Sequence, residues 1–158
     1  MIEYQKIKLI VYDFDGVMTD NKVYVSEEGN EMVQVNRADG LGVSEIKKQG
    51  IDQIIISTEK NPVVSIRANK LGIKCLQAID DKKAALINYC EKNGIDFDYV
   101  AYVGNDINDR DAMRIAGFKF CPSDSHKSIK KISNHVFKAS GGNGVVRELF
   151  CLMMEQKR

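Results

Sequence analysis

Residues 7–20 read IKLIVYDFDGVMTD, and this stretch decides the fold. The apolar, partly β-branched run at residues 7–12 is typical of a short strand that is buried on both faces. The run ends abruptly at Asp13, and Gly16 then lets the chain turn away sharply and bring backbone N–H groups close to a ligand. The stretch therefore predicts a buried strand whose carboxyl end carries two acids, Asp13 and Asp15.

Outward from this strand, the chain alternates predicted strands and helices. Further strands are predicted at residues 54–56, 74–77, 99–103 and 118–121, and helices at residues 39–49, 62–72, 82–92, from 108 onward and at 145–155. Asp39 is the expected cap of the first helix. This alternation predicts an α/β fold with a doubly wound parallel sheet, and 158 residues suit one domain over residues 1–158.

An insertion is predicted between the first strand and the first helix. Valines alternate with polar residues on both sides of the turn-prone Glu28-Gly29-Asn30, which predicts a β-hairpin over residues 22–36. Two valine-rich strands that formed only a surface flap would leave unpaired edges, which proteins usually avoid. The hairpin therefore favours assembly with other copies of the chain.

Composition excludes several classes of function. The formal net charge is +1 with both signs interspersed, unlike the basic surface of a nucleic-acid-binding protein. No apolar run reaches the roughly 20 residues that span a membrane, and the N-terminus does not resemble a signal peptide. Four cysteines without a C-x-x-C pair predict buried free thiols in a reducing cytoplasm: Cys75, Cys90, Cys121 and Cys151. Two histidines are too few for a typical zinc hydrolase.

Polar residues follow each predicted strand. They are Asp13 and Asp15 after the first, Ser57, Thr58 and Glu59 after the second, Asp80, Asp81 and Lys82 after the third, and residues 104–109 (GNDIND) after the fourth. Ligands of doubly wound sheets bind at the carboxyl ends of the strands, so these groups are expected to converge. Gathered carboxylates repel one another, and Mg²⁺, which prefers a few carboxylates, waters and a phosphate oxygen, would relieve that conflict.

Phosphoryl transfer is the chemistry that this set suits best. Asp13 is the candidate nucleophile, which would form an aspartyl phosphate that water then hydrolyses. Asp15 can protonate the leaving oxygen and then deprotonate the water. Ser57 can donate a hydrogen bond to a phosphoryl oxygen, and Lys82 can offset the negative charge. Each pattern alone is more often an ordinary turn or helix start, whereas four of them in this order point to a site.

The motifs resemble those of the haloacid dehalogenase (HAD) superfamily. Residues 13–20 match its first motif, D-x-D-G-[TV]-x-[TS]-D, while Ser57 resembles the second, Lys82 the third and residues 104–109 the fourth. The resemblance is closest to the capless branch of 3-deoxy-D-manno-octulosonate 8-phosphate (KDO8P) phosphatases and their sialic-acid relatives. The hairpin, the Asn36-x-x-Asp39-Gly40 pattern and the tail GGNGVVRE at residues 141–148 carry this closer likeness.

The resemblance implies a cytoplasmic, Mg²⁺-dependent phosphatase of a 2-keto-3-deoxy sugar acid phosphate, either KDO8P or a nonulosonate 9-phosphate. It implies a metal site at Asp13, Asp15 and either Asn105 or Asp106. It also implies a homotetramer in which the hairpins form a central barrel and a neighbouring subunit closes each active site. The substrate-binding residues expected on this basis are Gly16, Asn36, Asp39, Thr58, Glu59, Arg67, Lys70 and Arg147.

Two departures from the branch pattern bear on function. Asn105 stands where these phosphatases usually carry an aspartate, so the metal site loses a charge or is rearranged. Glu59 replaces an arginine that would favour a substrate carboxylate, and with Lys70 it is expected to select a nine-carbon sugar acid. In the alternative interpretation Lys70 and Glu59 are ordinary helix charges. A weakly active or inactive module that tetramerises an acylneuraminate cytidylyltransferase partner also remains open.

Overall fold

The computed structural model describes residues 2–155. Its eight strands are β1 (Leu9–Tyr12), β2 (Tyr24–Val25), β3 (Glu31–Met32), β4 (Asp52–Ile56), β5 (Lys74–Leu76), β6 (Val100–Val103), β7 (Phe118–Cys121) and β8 (His135–Val136). Six of them form a parallel sheet in the order β5-β4-β1-β6-β7-β8. The chain builds outward from β1 in both directions, so the predicted doubly wound α/β fold is confirmed.

Six α-helices accompany the strands: α1 (Arg37–Lys48), α2 (Val63–Leu71), α3 (Lys82–Asn93), α4 (Arg110–Ile115), α5 (Lys127–Ile132) and α6 (Val145–Glu155). Three short 3₁₀ helices lie at Tyr4–Lys6, Phe97–Tyr99 and Ile107–Asp109. The predicted bounds of β7 and α6 are confirmed, whereas α4 begins two residues later than expected because a 3₁₀ turn precedes it. The sequence did not predict α5 and β8, which are too short to show a clear hydrophobic period.

The start of α1 corrects one prediction. Asn36, not Asp39, is the N-cap, since its side chain accepts a hydrogen bond from the Ala38 N–H at 2.8 Å. Asp39 lies inside the first turn and points to α6, where its Oδ1 accepts from the N–H of Val146 at 2.9 Å and of Arg147 at 3.2 Å. Asp39 therefore caps α6, a helix that begins more than 100 residues later.

Side chains of β1 serve two cores because successive residues of a strand point to opposite faces. Ile10 and Tyr12 pack on one side with α1, α2 and α6, while Leu9 and Val11 pack on the other with α3, α4 and α5. All four are fully buried. The sheet is thus covered on both faces, so a ligand can reach it only at the ends of the strands.

The predicted hairpin is present between β1 and α1. Its paired strands β2 and β3 have only two residues each, and an isolated bridge joins Thr19 to Val35 at its base. Four apolar side chains project from it into solvent: Val23 (48% exposed), Tyr24 (72%), Val25 (63%) and Met32 (66%). No cap domain occurs within residues 2–155, so the hairpin is the main addition at this end of the sheet.

The cysteines only partly follow the prediction. All four are free, but only Cys90 and Cys121 are buried. Cys75 is half-buried, and Cys151 is exposed because it lies on the outer face of α6. Between residues 2 and 155 the structure contains no helix with both the length and the apolar character needed to cross a membrane.

Candidate active site

The register of the parallel sheet brings the predicted motifs together at the carboxyl ends of its strands. Tyr12, the last residue of β1, pairs with Ile55 of β4 and with Val103 of β6. The residues just past these three strands are therefore neighbours, and they line a cavity of about 330 Å³. Its lining residues are Asp13, Asp15, Asn21, Ser57, Thr58, Asn105, Asp106, Ile107 and Asn108.

Asp13 lies at the bottom of this cavity. Its N–H continues the β1–β6 pairing by donating to the carbonyl of Val103 at 2.9 Å, and the residue is buried. Oδ1 accepts from the N–H of Phe14 at 2.7 Å and from Nζ of Lys82 at 2.7 Å. Burial raises the pKa of Asp13, and the charge of Asp109 adds to the rise while Lys82 opposes it.

Lys82 joins two carboxylates beneath the cavity. Its Nζ lies 2.7 Å from Oδ1 of Asp13 and 2.7 Å from Oδ1 of Asp109. The start of α3 fixes it there, because Asp81 caps that helix by accepting from the Ala84 N–H. Burial by itself would lower the pKa of Lys82, but the two carboxylates outweigh it and the pKa is raised. Lys82 therefore stays charged beside Asp13.

Asp109 is a site residue to which the sequence analysis assigned no role. It is fully buried, and Tyr102 donates to its Oδ1 at 3.1 Å. The N–H groups of Asn105 and Asp106 donate to its Oδ2 at 2.9 and 3.3 Å. The available signal was its place three residues after Asp106, which gives the Ile107–Asp109 turn a capping box.

Asp15 and Ser57 line the cavity beside Asp13, the predicted nucleophile. Thr19 donates from Oγ1 to Oδ1 of Asp15 at 3.3 Å. Burial raises the pKa of Asp15, against the hydrogen bond from Thr19 and with help from Glu59, so the carboxyl is suited to carry a proton for transfer. Ser57 is buried, and its Oγ accepts from the N–H of Glu59 at 3.1 Å, which leaves its own proton available to a ligand.

The amide of Asn105 lies between Asp13 and the main chain of Asp15. Its nitrogen donates to Oδ2 of Asp13 and to the main-chain oxygen of Asp15, each at 3.0 Å. A carboxylate, an amide and a main-chain carbonyl are the hard oxygen donors that Mg²⁺ accepts, so these residues fit that ion. Within residues 2–155, no three His, Cys, Asp or Glu side chains form a metal-binding group. The ligands considered at Asp13 do not count as such a group, since one is an amide and another is a main-chain oxygen.

Asp106 lines the same cavity but has a different role in the fold. Its Oδ1 accepts from the N–H of Ile107 at 2.7 Å and begins the 3₁₀ turn. Of the two residues that remained open as metal ligands, Asn105 is the one whose end group meets Asp13 and Asp15. Gly16 makes room for it: a Cβ on Gly16, where φ is +85°, would lie 1.9 Å from the end group of Asn105.

The remaining predicted substrate-binding residues lie outside this cavity, with the exception of Thr58. Asp39 is 2% exposed and engaged with α6, so within this chain it braces the fold rather than contacting a substrate. Glu59 turns its Oε1 to the N–H groups of Lys60 and Asn61 at 2.7 and 2.9 Å. Its carboxylate thus stabilises the turn before α2.

A second surface gathers the predicted cations of α2. Arg67 and Lys70 lie with Arg37 around a shallow depression of about 580 Å³ between α1 and α2. Arg67 also donates to the main-chain oxygen of Asn36 at 3.1 Å. Arg147 lies apart from this group, with its guanidinium 5.9 Å from the ring centroid of Phe150. The structure therefore does not bring these cations to the Asp13 cavity of the same chain.

Comparisons with known proteins agree with this geometry. A family model described as haloacid dehalogenase-like hydrolase matches residues 2–149. The 3-deoxy-D-manno-octulosonate 8-phosphate phosphatase KdsC of Escherichia coli (strain K12) is 32% identical over 151 residues, covering 95% of this chain and 80% of the relative.

Two solved structures have nearly the same fold. One is the 3-deoxy-D-manno-octulosonate 8-phosphate phosphatase of Moraxella catarrhalis in complex with magnesium, phosphate and KDO, with a TM-score of 0.92, 35% identity and coverage of 96% of this chain and 88% of that chain. The other is the cobalt-bound phosphatase of Haemophilus influenzae, with a TM-score of 0.92, 26% identity and coverage of 98% and 91%.

Proposed function

Because the chain belongs to the haloacid dehalogenase-like hydrolase family, we propose that it is a phosphatase that removes the terminal phosphate of a 2-keto-3-deoxy sugar acid. The observation that carries the proposal is the ion pair at the base of the cavity, in which Lys82 holds the carboxylate of Asp13 beneath open space. Asp15 lies in the same cavity, with the raised pKa that a proton donor needs.

The chain's own residues supply most of the proposed mechanism. A carboxylate oxygen of Asp13 attacks phosphorus, the bond from phosphorus to the sugar oxygen breaks, and Asp15 gives its proton to that oxygen. Asp15, now a carboxylate, takes a proton from the water that hydrolyses the aspartyl phosphate. Ser57 donates to a phosphoryl oxygen, and Lys82 offsets charge beside Asp13. A bound Mg²⁺, held by Asp13, Asp15 and Asn105, would neutralise phosphate charge.

The substrate is further inferred to carry a carboxylate and to have nine carbons. The phosphatases named above act on the eight-carbon KDO8P, and Glu59 stands where their branch usually has an arginine. A glutamate disfavours a substrate carboxylate close to it and suits hydroxyl groups instead, and a nine-carbon 9-phosphate carries its carboxylate one carbon further from the phosphate than KDO8P does. This supports ketodeoxynononate 9-phosphate or N-acetylneuraminate 9-phosphate over KDO8P.

A phosphate-release assay with Mg²⁺ on these three substrates tests both levels of the proposal. Asp13→Asn should lower kcat/KM by at least about a thousandfold, because it removes the nucleophile. Asp20→Asn is the matched control, since Asp20 lies in the same segment but outside the cavity lining. Equal activity of Asp13→Asn and the control would exclude the mechanism.

The choice of sugar has a separate test. Replacing Glu59 with Arg should raise the preference for KDO8P over the nine-carbon substrates by roughly tenfold. Glu59→Gln removes the charge but can still accept from the N–H groups of Lys60 and Asn61, so it separates charge from turn stability. A wild-type preference for KDO8P would disprove the nine-carbon assignment and leave the phosphatase assignment intact.

A second copy of the chain is part of the proposal. The exposed apolar hairpin suits self-association, and the cations around Arg67 could then meet a neighbour's cavity.

The second candidate function, an inactive module that tetramerises a cytidylyltransferase partner, is favoured only by Asn105. No phosphate release from any of the three substrates by a tetrameric protein would support it. The free cysteines accord with a cytoplasmic enzyme.

A further inference from the structure

Asn21 lines the cavity above Asp13 but has no part in the mechanism described so far. It is exposed, and its φ is +66°. Among residues 2–155, Asn21 and Ala78 are the only residues other than glycine with a positive φ. Glycine adopts this left-handed conformation freely, whereas a side chain makes it less favourable. A glycine would therefore suit the backbone at position 21 better than the asparagine that is present.

No contact within the fold accounts for this side chain. The N–H of Asn21 donates to Oγ1 of Thr19 at 3.1 Å, but the side-chain amide has no hydrogen-bond partner among residues 2–155. A structural asparagine at a turn normally uses its amide to bind nearby backbone groups. The amide of Asn21 is instead left available to a ligand in the cavity.

The backbone on both sides of Asn21 is held in place. Thr19 is fully buried, and its Oγ1 accepts from Asn21 on one side and donates to Oδ1 of Asp15 at 3.3 Å on the other. After Asn21, the N–H of Lys22 donates to Oδ1 of Asp20 at 3.0 Å. A side chain on such a fixed backbone loses less conformational freedom when it binds a ligand, so the position is preorganised.

The contact through Thr19 also places Asn21 relative to the chemistry. One hydroxyl oxygen meets both the carboxyl of Asp15 and the N–H of Asn21. In the proposed mechanism Asp15 protonates the oxygen that joins phosphorus to the sugar. The substrate atoms closest to that oxygen are the carbon that carries the phosphate and the carbon next to it. An uncharged amide, which donates and accepts, matches a hydroxyl group on that second carbon.

We propose that Asn21 is a specificity-determining residue that binds the hydroxyl on the substrate carbon next to the one that carries the phosphate. The inference rests on the proposed function and deepens it, because it defines a substrate class: phosphate esters of primary alcohols with a hydroxyl on the neighbouring carbon. The three sugar acid phosphates named above all belong to this class, so this recognition does not depend on the length of the sugar.

Two small esters that differ only in this hydroxyl provide the first test: racemic glycerol 3-phosphate, which has it, and 3-hydroxypropyl phosphate, which lacks it. With Mg²⁺, wild type should release phosphate from the first with a kcat/KM roughly tenfold higher or more, since a site that binds a hydroxyl rejects the analogue without it. Asn21→Gly should reduce this ratio to less than about twofold and leave kcat/KM for 3-hydroxypropyl phosphate within about twofold of wild type.

Ala78→Gly is the matched control. Ala78 has a φ of +57° and is exposed outside the cavity lining. Both glycine variants should keep the wild-type fold by circular dichroism, because glycine accepts a positive φ, but only Asn21→Gly should lose the preference for the hydroxyl. Wild type that treats the two esters alike, Asn21→Gly that keeps the preference, or Ala78→Gly that loses it would each overturn the proposal.

A binding measurement makes the inference independent of turnover. Nitrogen-labelled Asp13→Asn with Mg²⁺ would show the side-chain NH₂ signals of Asn21, which are identified by their absence when Asn21→Gly is added. Saturating glycerol 3-phosphate should shift these signals clearly more than 3-hydroxypropyl phosphate does. Equal shifts, or no shift with either ester, would contradict the assignment of Asn21.

The two proposals can therefore fail separately. A protein whose Asn21 signals respond to the hydroxyl, but which releases no phosphate from any ester, would keep the binding role of Asn21 and lose the proposed function. Phosphate release from the sugar acid phosphates, with the two small esters treated alike, would do the reverse.

Discussion

Nζ of Lys82 lies 2.7 Å from Oδ1 of Asp13, and the two side chains are 1% and 6% exposed. The same nitrogen meets Oδ1 of Asp109, which is fully buried. One buried cation thus serves two buried carboxylates, and the dry surroundings make their attraction strong and their separation costly. The residue that would assist catalysis is therefore also one on which the fold depends.

Lys82→Met should lower the free energy of unfolding by about 3–5 kcal/mol, because it leaves Asp13 and Asp109 buried without a cation. Urea unfolding at neutral pH measures the loss, and phosphate release should fall with it. Lys83→Met is the control, since Lys83 is the next residue of the same helix and is exposed. If the two variants unfold at the same urea concentration, the buried ion pair does not stabilise the protein.

Gly16→Ala should abolish phosphate release, because a methyl group at φ +85° would meet the amide of Asn105 at 1.9 Å. Gly29→Ala is a matched control: Gly29 has φ +82°, but nothing lies within 4 Å of an added Cβ. Both variants carry the backbone strain of a side chain at positive φ, on the order of 1–2 kcal/mol. Only Gly16→Ala should also lose Mg²⁺ binding in calorimetry. Equal activity of the two variants would show that Asn105 does not need the space over Gly16.

Much of the site could be predicted from the sequence because a parallel sheet aligns its strand ends. Asp13, Asp15, Ser57 and Asn105 each follow a predicted strand, and the register of β1 with β4 and β6 brings them to one cavity. Lys82 could be added because it begins the helix after β5. These predictions needed only strand order and the resemblance to a known motif set.

Other roles could not be predicted because they depend on contacts between distant elements. The sequence around Asp39 predicts a cap for its own helix, but its carboxylate accepts from N–H groups of α6 instead. No local sequence pattern predicts a contact between residues so far apart in the chain. The sequence around Asp109 is that of an ordinary turn. Asp109 belongs to the site because Tyr102 and Lys82, which lie elsewhere in the chain, contact its carboxylate. Arg67 and Lys70 lie on another surface of the same chain, so their contact with a substrate stays a prediction that needs a second copy of the chain.

Val25→Lys should turn a self-associated protein into a monomer. Val25 is 63% exposed beside Tyr24 at 72% on the hairpin, and a charge in such an apolar surface opposes its burial against another copy. Sedimentation velocity measures the change in mass, and circular dichroism checks that the fold is kept. Val136→Lys, at an exposed position of edge strand β8, is the control. A wild-type monomer, or a variant that keeps the wild-type mass, would contradict the proposed role of the hairpin.

The contact of Asp39 with α6 should make stability depend on pH. Burial raises the pKa of Asp39 from 3.8 to about 6, against the hydrogen bonds from Arg147 and Val146 and the nearby charge of Arg67. The folded protein then holds this proton more tightly than the unfolded chain does. Protonation of Asp39 therefore stabilises the fold fully below about pH 4, and this contribution is lost as the pH rises through about 6.

Asp39→Asn removes that dependence. The unfolding free energy of wild type minus that of the variant should fall by on the order of 2–3 kcal/mol between about pH 4 and pH 7, as measured by urea titrations at each pH. Gly42→Ala disturbs the same α1–α6 contact without a titratable group, because its Cβ would meet the backbone of Val146 at 2.9 Å. Its cost should be the same at both pH values. A constant difference for Asp39→Asn as well would mean that this carboxyl titrates alike in the folded and unfolded protein, and that the α6 amides offset its burial in full.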